Sequence, residues 1–420
     1  MNHPLILQHT AEFISTYDFS APLHLSLAEY YRQKRHLGVK DRRIIGDHIY
    51  YIIRHFRLLS HILKLDENLG IFTKNQETAT LFALLAYRLM NGDRVNLTFK
   101  QKDLLYELWP IVQAIEIPAH ERSEIRYSIP DWLWEKFSAQ WGKDVAEKIV
   151  ESLAKPADIH LRQQRDHLEA EQWPQKYGLS VGKLVPGAWR APSFAPVRQW
   201  EIYQDGIVEI QDEGSQLIAF AAGPKPGELV IDLCAGAGGK TMHLAALMNN
   251  KENIIATDKI KKRMKDLKKR LKRANFGNVT ILDYQYVLDQ YRSEANLVLI
   301  DVPCSGTGVF RRNPDDKFRL KPDQLSYFKK NQKFILRDAA RLVRPGGRIV
   351  YSSCSLLYEE NEGQLIKFLN EHQQFEILDE LQALREFRID LQKGKGPGYT
   401  LLPHLYDTDG FYFAVLKRKG

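Results

Sequence analysis

A strand-like run, Leu229 to Leu233, passes directly into Cys234-Ala235-Gly236-Ala237-Gly238-Gly239-Lys240-Thr241, and this loop is the first segment whose residue types suggest chemistry. Glycines between a strand and a helix let the backbone approach a ligand held at the helix N-terminus. A phosphate-binding P-loop requires a glycine at the place of Cys234, and a dinucleotide GxGxxG motif requires its third glycine later than Gly239. A methyltransferase loop tolerates the spacing. Asp258 lies just past the next β-rich run, where a carboxylate can accept hydrogen bonds from both hydroxyls of a ribose. The alternative reading is a helix cap, and both can hold at once. Asp283 ends a third such run and reads equally as a contact for an adenine amino group or as a plain turn residue.

The chain has three cysteines, Cys234, Cys304 and Cys354, and each follows a strand-like run. A single cysteine there would be read as a small buried hydrophobe. Three at the edge where open α/β sheets bind ligands point to chemistry instead. Beside a methyl donor, the reaction that needs a thiol is methylation at carbon 5 of a pyrimidine. That carbon is too weak a nucleophile until a thiolate adds to carbon 6 and makes the ring enamine-like. Asp301, in Asp301-Val302-Pro303-Cys304, is placed to support the ring nitrogen during the addition. By position alone Cys304 and Cys354 are equally good nucleophiles.

These residues need a sheet to carry them. Glu228 to Leu233, Asn253 to Thr257, Asn278 to Leu282, Asn296 to Ile300 and Arg348 to Ser352 read as strands alternating with helices, and Gly410 to Lys417 as a closing strand. That alternation predicts a doubly wound, mostly parallel α/β sheet. Leu325, Phe328, Ile335, Ala339 and Leu342 mark one face of a helix that should end at Pro345-Gly346-Gly347, and the helix after the glycine loop should begin near Thr241. Upstream, Ile45, Ile49, Ile52, Phe56 and Leu59 keep the spacing of one helical face, and Thr80 to Met90 supplies a second apolar helix. From Ala154 to Gln211 the pattern is irregular, as expected of a small mixed domain, and Gly223-Pro224-Lys225-Pro226-Gly227 marks a boundary.

Lys plus Arg exceed Asp plus Glu by 60 to 52, a net charge of +8 that favours a polyanionic partner. Apolar residues at 44% and charged residues at 27% suit a folded chain, and 420 residues suit two or three domains. No stretch approaches the roughly eighteen apolar residues of a membrane span, and neither a signal peptide nor a zinc-type CxxC pair is evident. A cytoplasmic, monomeric protein without metal is expected.

Several motifs occur together: Gln211-Asp212-Glu213-Gly214-Ser215-Gln216, the Asp232 to Thr241 loop, Asp301 to Gly308 with Arg311-Arg312-Asn313-Pro314-Asp315, Ser352-Ser353-Cys354-Ser355, Glu360-Asn361-Glu362 and Asp409-Gly410-Phe411. In this order they resemble the Sun family of RNA cytosine-5 methyltransferases. The resemblance implies that Cys354 is the nucleophile, that Cys304 assists product release and that Asp301 contacts the cytosine. It also implies an S-adenosylmethionine site formed by Cys234, Ala235, Gly236, Ala237, Gly238, Gly239, Lys240, Asp258, Asp283 and Asp301. The implied architecture is a NusB-like helical RNA-binding domain over residues 1–150, a small α+β RNA-binding subdomain over 151–222 and a Rossmann-like catalytic domain over 223–420. Departures from the family pattern are Val302 for Ala, Ser353 for Thr, and Leu161-Arg162-Gln163-Gln164, which lacks an asparagine soon after the arginine.

The implied partner is RNA, with small-subunit ribosomal RNA expected and transfer RNA the alternative. The target cytosine must be unpaired or flipped out, because a duplex hides carbon 6 from a thiol. Lys259 to Arg273 is dense in Lys and Arg around an apolar stripe and reads either as a phosphate-binding face or as a solvated helix face. Arg32, Lys34, Arg35, Lys40, Arg42 and Arg43 form a second cluster, read as ordinary surface charge. An amino-directed methyltransferase would leave Cys354 unexplained, and a non-catalytic assembly factor would need no intact cofactor site.

Overall fold

The computed structural model describes residues 3–65, 75–91, 122–251, 253–378, 381–389, 391 and 396–420. The chain forms two compact units, one of residues 1–155 with 310–322 and one of residues 156–309 with 323–420.

The first unit is helical: α1 (His3–Ile14), α2 (Leu23–Gln33), α3 (Val39–Arg54), α4 (Phe56–Ile62), α5 (Gln76–Asn91), α6 (Ser123–Arg126), α7 (Asp131–Trp141) and α8 (Lys143–Leu153). Ile45, Ile49, Ile52, Phe56 and Leu59 are fully buried, as their spacing predicts, but the chain turns at His55 and divides the expected face between α3 and α4. The Arg311 to Asp315 motif lies in this unit, apart from the catalytic segment in which the sequence places it. Polar bonds hold it there. Asp315 accepts from the Leu23 amide at 3.0 Å and the Tyr17 hydroxyl at 3.2 Å, and Lys317 donates to the Arg54 carbonyl at 2.8 Å.

The second unit contains two sheets. The smaller is antiparallel, in the order β2-β3-β1-β4, from β1 (Ile159–Gln163), β2 (Ser180–Val181), β3 (Ala188–Ala191) and β4 (Val208–Ile210). It belongs to the same unit as the larger sheet because its polar side chains reach across. Glu209 on β4 is buried and pairs with Arg270 and Arg273, and Arg162 on β1 donates to the Gly239 carbonyl at 2.8 Å.

The larger sheet runs β10-β12-β9-β8-β5-β6-β7, with β11 beside β12. Its strands are β5 (Val230–Asp232), β6 (Ile254–Ala256), β7 (Val279–Ile281), β8 (Ala295–Asp301), β9 (Val343–Ser353), β10 (Phe375–Ile377), β11 (Tyr399–Leu401) and β12 (Phe411–Arg418). Pairs among β5 to β9 are parallel and those of β12 antiparallel. Val, Ile and Leu fill these strands because helices cover both faces. Those helices include α9 (Glu213–Ala222), α10 (Gly239–Leu247), α11 (Lys261–Ala274), α12 (Tyr284–Gln290), α13 (Gln324–Leu342) and α14 (Glu362–Glu371). The predicted doubly wound, Rossmann-like sheet is therefore present. Two boundaries differ: α10 begins at Gly239, and α13 ends at Leu342, with Pro345-Gly346-Gly347 inside β9. Gly346 has φ +74°, so these residues bend a strand rather than stop a helix.

Strand order reverses at β5, which pairs with β6 on one side and β8 on the other. The loops leaving β5 and β8 diverge there and open a crevice. Among the described residues, no helix is long and apolar enough to cross a membrane and no His, Cys, Asp and Glu cluster could hold a metal ion.

Candidate active site

The crevice is a cavity of about 520 Å³ lined by Cys234 to Ala237, Gly239 and Lys240 after β5, Asp258 after β6, Asp301 to Cys304 after β8, and Cys354 after β9. Its size suits a drug-sized ligand. Gly238 turns the loop with φ +86°, and a Cβ there would lie 2.1 Å from Leu267 of α11, so only glycine lets the loop pack on that helix.

Asp258 is 9% exposed and braces this loop. Its Oδ2 accepts from the Gly236 amide at 3.0 Å, and its Oδ1 accepts from the Ile260 amide at 2.7 Å. A carboxylate has about four lone-pair sites, so each oxygen keeps acceptor capacity towards the cavity. Asp283 is placed elsewhere: its side chain caps α12, accepting from the Gln285 amide at 3.0 Å, and pairs with Lys261 at 2.8 Å. The structure does not bring Asp283 or Gly238 to the cavity wall.

Behind the loop, Asp232 is buried and accepts from the Thr241 hydroxyl at 2.6 Å. Burial pushes its carboxyl up to about 7, because the charged form loses water. Burial likewise raises the Cys234 thiol well above its ordinary value, with the Asp232 charge adding to the effect.

Asp301 ends β8 between two donors, the Lys240 ammonium at 2.7 Å and the Ser352 hydroxyl at 2.9 Å. Lys240 also lies 5.3 Å over the Phe411 ring. The sequence places Lys240 with the cofactor; the structure makes it the cation that orients Asp301.

Cys304 and Cys354 come from loops after neighbouring strands, and their sulfurs meet at 3.2 Å. The hydrogen bond with Cys354 raises the Cys304 thiol well above the usual thiol range, and burial raises it further. Cys304 therefore keeps its proton and can share it with the Cys354 sulfur. Gly308 locks the arrangement: its amide donates to the Cys354 carbonyl at 2.9 Å, and its carbonyl accepts from the Gly410 amide at 2.8 Å. A Cβ on Gly308 would sit 2.1 Å from the Gly410 oxygen, so the close approach requires glycine.

Two groups had no assigned role in the sequence reading. Arg162 is buried, its guanidinium donating to the Gly239 carbonyl, to Gln211 and, at 2.8 Å, to Gln164. It braces the glycine loop from β1, and Gln164 supports it after the arginine. Glu360 and Asn361 are buried beside the two thiol loops. Their motif was visible in the sequence, but the Ser305 and Gln332 contacts of Glu360 come from residues far away along the chain.

Residues 219–417 match the family model described as 16S rRNA methyltransferase RsmB/F. The chain is 33% identical over 321 residues to the "probable ribosomal RNA small subunit methyltransferase B" of Bacillus subtilis, covering 74% of this chain and 71% of that one. A protein of the same description from Synechocystis is 27% identical over 92% of this chain and 93% of its own length. Among solved structures, that of PH0851 superposes with a TM-score of 0.75 at 26% identity, covering 99% of each chain. NSun6 from Pyrococcus horikoshii, solved with SFG, superposes with a TM-score of 0.60 at 21% identity over 69% of this chain and 98% of its own, a likeness of fold.

Proposed function

Because the chain belongs to the RsmB/F family of 16S rRNA methyltransferases, we propose that it methylates carbon 5 of a cytosine in small-subunit ribosomal RNA, through a covalent bond between Cys354 and the base. The observation that carries this reading is the pair of thiols 3.2 Å apart in one cavity with Asp301 and the glycine loop. Methylation of an exocyclic amine would use neither thiol.

The cavity's donor set fits S-adenosylmethionine. Asp258 retains acceptor capacity for ribose hydroxyls, and the glycine loop offers backbone at the start of α10. Bound there, the cofactor supplies an electrophilic methyl group. Cys354 attacks carbon 6 of the cytosine as a thiolate, its proton lost to solvent and its charge steadied by the Cys304 S–H. Asp301, held by Lys240 and Ser352, meets the ring nitrogen as charge develops on it. After carbon 5 has taken the methyl group, Cys304, having passed its thiol proton to solvent, takes the proton that leaves this carbon, and the Cys354–carbon bond breaks with its electron pair returning to sulfur, which restores aromaticity.

The exposed bases of α11, among them Lys262, Lys265, Lys268, Lys269 and Lys272, supply phosphate contacts to the RNA. Arg270 and Arg273 on the same helix are committed to Glu209.

The test is a comparison of Cys354→Ala with Cys304→Ala on small-subunit RNA. Cys354→Ala should yield no methylation and no adduct. Cys304→Ala should methylate once and leave a protein–RNA species on a denaturing gel, because addition and release are separate proton-coupled steps. Full activity in Cys354→Ala would sink the covalent mechanism. Methylation confined to transfer RNA would move the substrate and leave the chemistry standing.

A further inference from the structure

We infer that Glu360 is the positioning residue that sets the distance between Cys304 and Cys354, by tying together the two loops that carry them. The inference rests on the roles proposed for those thiols. Glu360 is fully buried and, among the described residues, forms no ion pair with Lys or Arg. Its carboxylate is satisfied by hydrogen bonds alone. Oε1 accepts from the Ser305 amide at 2.9 Å and from Gln332 Nε2 at 2.9 Å, while Oε2 accepts from the Ser355 hydroxyl at 2.6 Å and from the Ser305 hydroxyl.

Ser305 follows Cys304 and Ser355 follows Cys354, so one rigid group fixes the residue next to each sulfur. The two serine hydroxyls also meet at 3.1 Å, and Gln332 donates to the Pro303 carbonyl at 3.1 Å, on the other side of Cys304. Asn361 completes the second loop, donating to the Ser355 carbonyl at 2.8 Å and accepting from the Ser353 hydroxyl at 2.6 Å.

A buried carboxylate without a cation is costly, and an apolar side chain of similar volume would satisfy packing more cheaply. What an apolar side chain cannot do is accept four donors from two loops and a helix. The carboxylate therefore buys register between the loops, and its charge also keeps the Cys304 thiol raised.

Glu360→Gln tests this in the full-length protein, since it preserves shape and leaves one acceptor oxygen for four donors. The first readout is closure of the Cys304–Cys354 disulfide by diamide, which accepts the two protons and two electrons the thiols give up; peptide mass measures the rate. The second is single-turnover methylation with KM for RNA. Glu360→Gln should close the disulfide severalfold more slowly and lower the methylation rate by about 100-fold, the scale expected for a misplacement of about 1 Å. KM for RNA should stay within about twofold, since binding surfaces are untouched.

Ser355→Ala removes one strut and should slow closure in the same direction by less; if Glu360→Gln does not fold, this variant decides, and an unchanged closure rate overturns the inference. Wild-type closure in folded Glu360→Gln also overturns it, whatever the methylation rate. Should the wild-type protein close its disulfide rapidly while Cys304→Ala forms no adduct with RNA, the catalytic reading fails while the positioning stands.

Discussion

Replacing Asp258 by alanine removes one bond that braces the glycine loop, one that shapes its own turn and, on the proposed reading, two more that hold a ribose. The loop bond is the Gly236 amide to Oδ2 at 3.0 Å, and the turn bond is the Ile260 amide to Oδ1 at 2.7 Å. Hydrogen bonds to a charged group contribute about 1.5–3 kcal/mol each to the state that contains them. If the net loss on the ligand side is a single such bond, S-adenosylmethionine should bind about 10- to 150-fold more weakly, at about 1.4 kcal/mol per factor of ten. A loss of both would exceed this range, and a solvated ribose that regains water would fall at its lower end. Titration calorimetry on Asp258→Ala measures the dissociation constant, and a thermal melt measures the loop's share. Asp258→Asn keeps one acceptor oxygen and should lose less in both. An unchanged dissociation constant in folded Asp258→Ala would refute the ribose contact and leave Asp258 as a brace of the loop.

Asp232 should make stability fall as pH rises from about 4 to 7. Its folded carboxyl is raised to about 7, chiefly by burial, so the folded state binds a proton that the unfolded state has already released, and the stabilisation present below about pH 4 is lost through this window. Asp232→Asn should flatten the decline in urea midpoints; an unaltered slope would assign it to other groups. Glu209→Gln leaves Arg270 and Arg273 largely buried without their counter-charge and should destabilise the second unit by about 3 kcal/mol, seen as a lower urea midpoint, and an unchanged midpoint would contradict the bracing role.

What the sequence by itself determined follows from local rules. The alternation of Val- and Ile-rich runs with amphipathic helices specified a doubly wound sheet, because a parallel strand buried on both faces must be apolar throughout. The glycine loop after β5 and the thiols after β8 and β9 were legible for the same reason, since strand ends mark the binding edge of such a sheet. Strands β10 and β11 were not read from the sequence. The turn at His55 was hidden too, because α3 and α4 keep one apolar phase through it. Only the tertiary structure decided the pairings between distant residues. It made Arg162 a buried brace of the loop at Gly239, a role no local pattern announced, and drew Arg270 and Arg273 out of a basic face onto Glu209. It directed Asp283 to Lys261 instead of the cavity, and gave Glu360 the serines beside both thiols. A side chain's partner depends on which strands become neighbours, and that order is set by the packing of the whole sheet, not by any segment of the sequence.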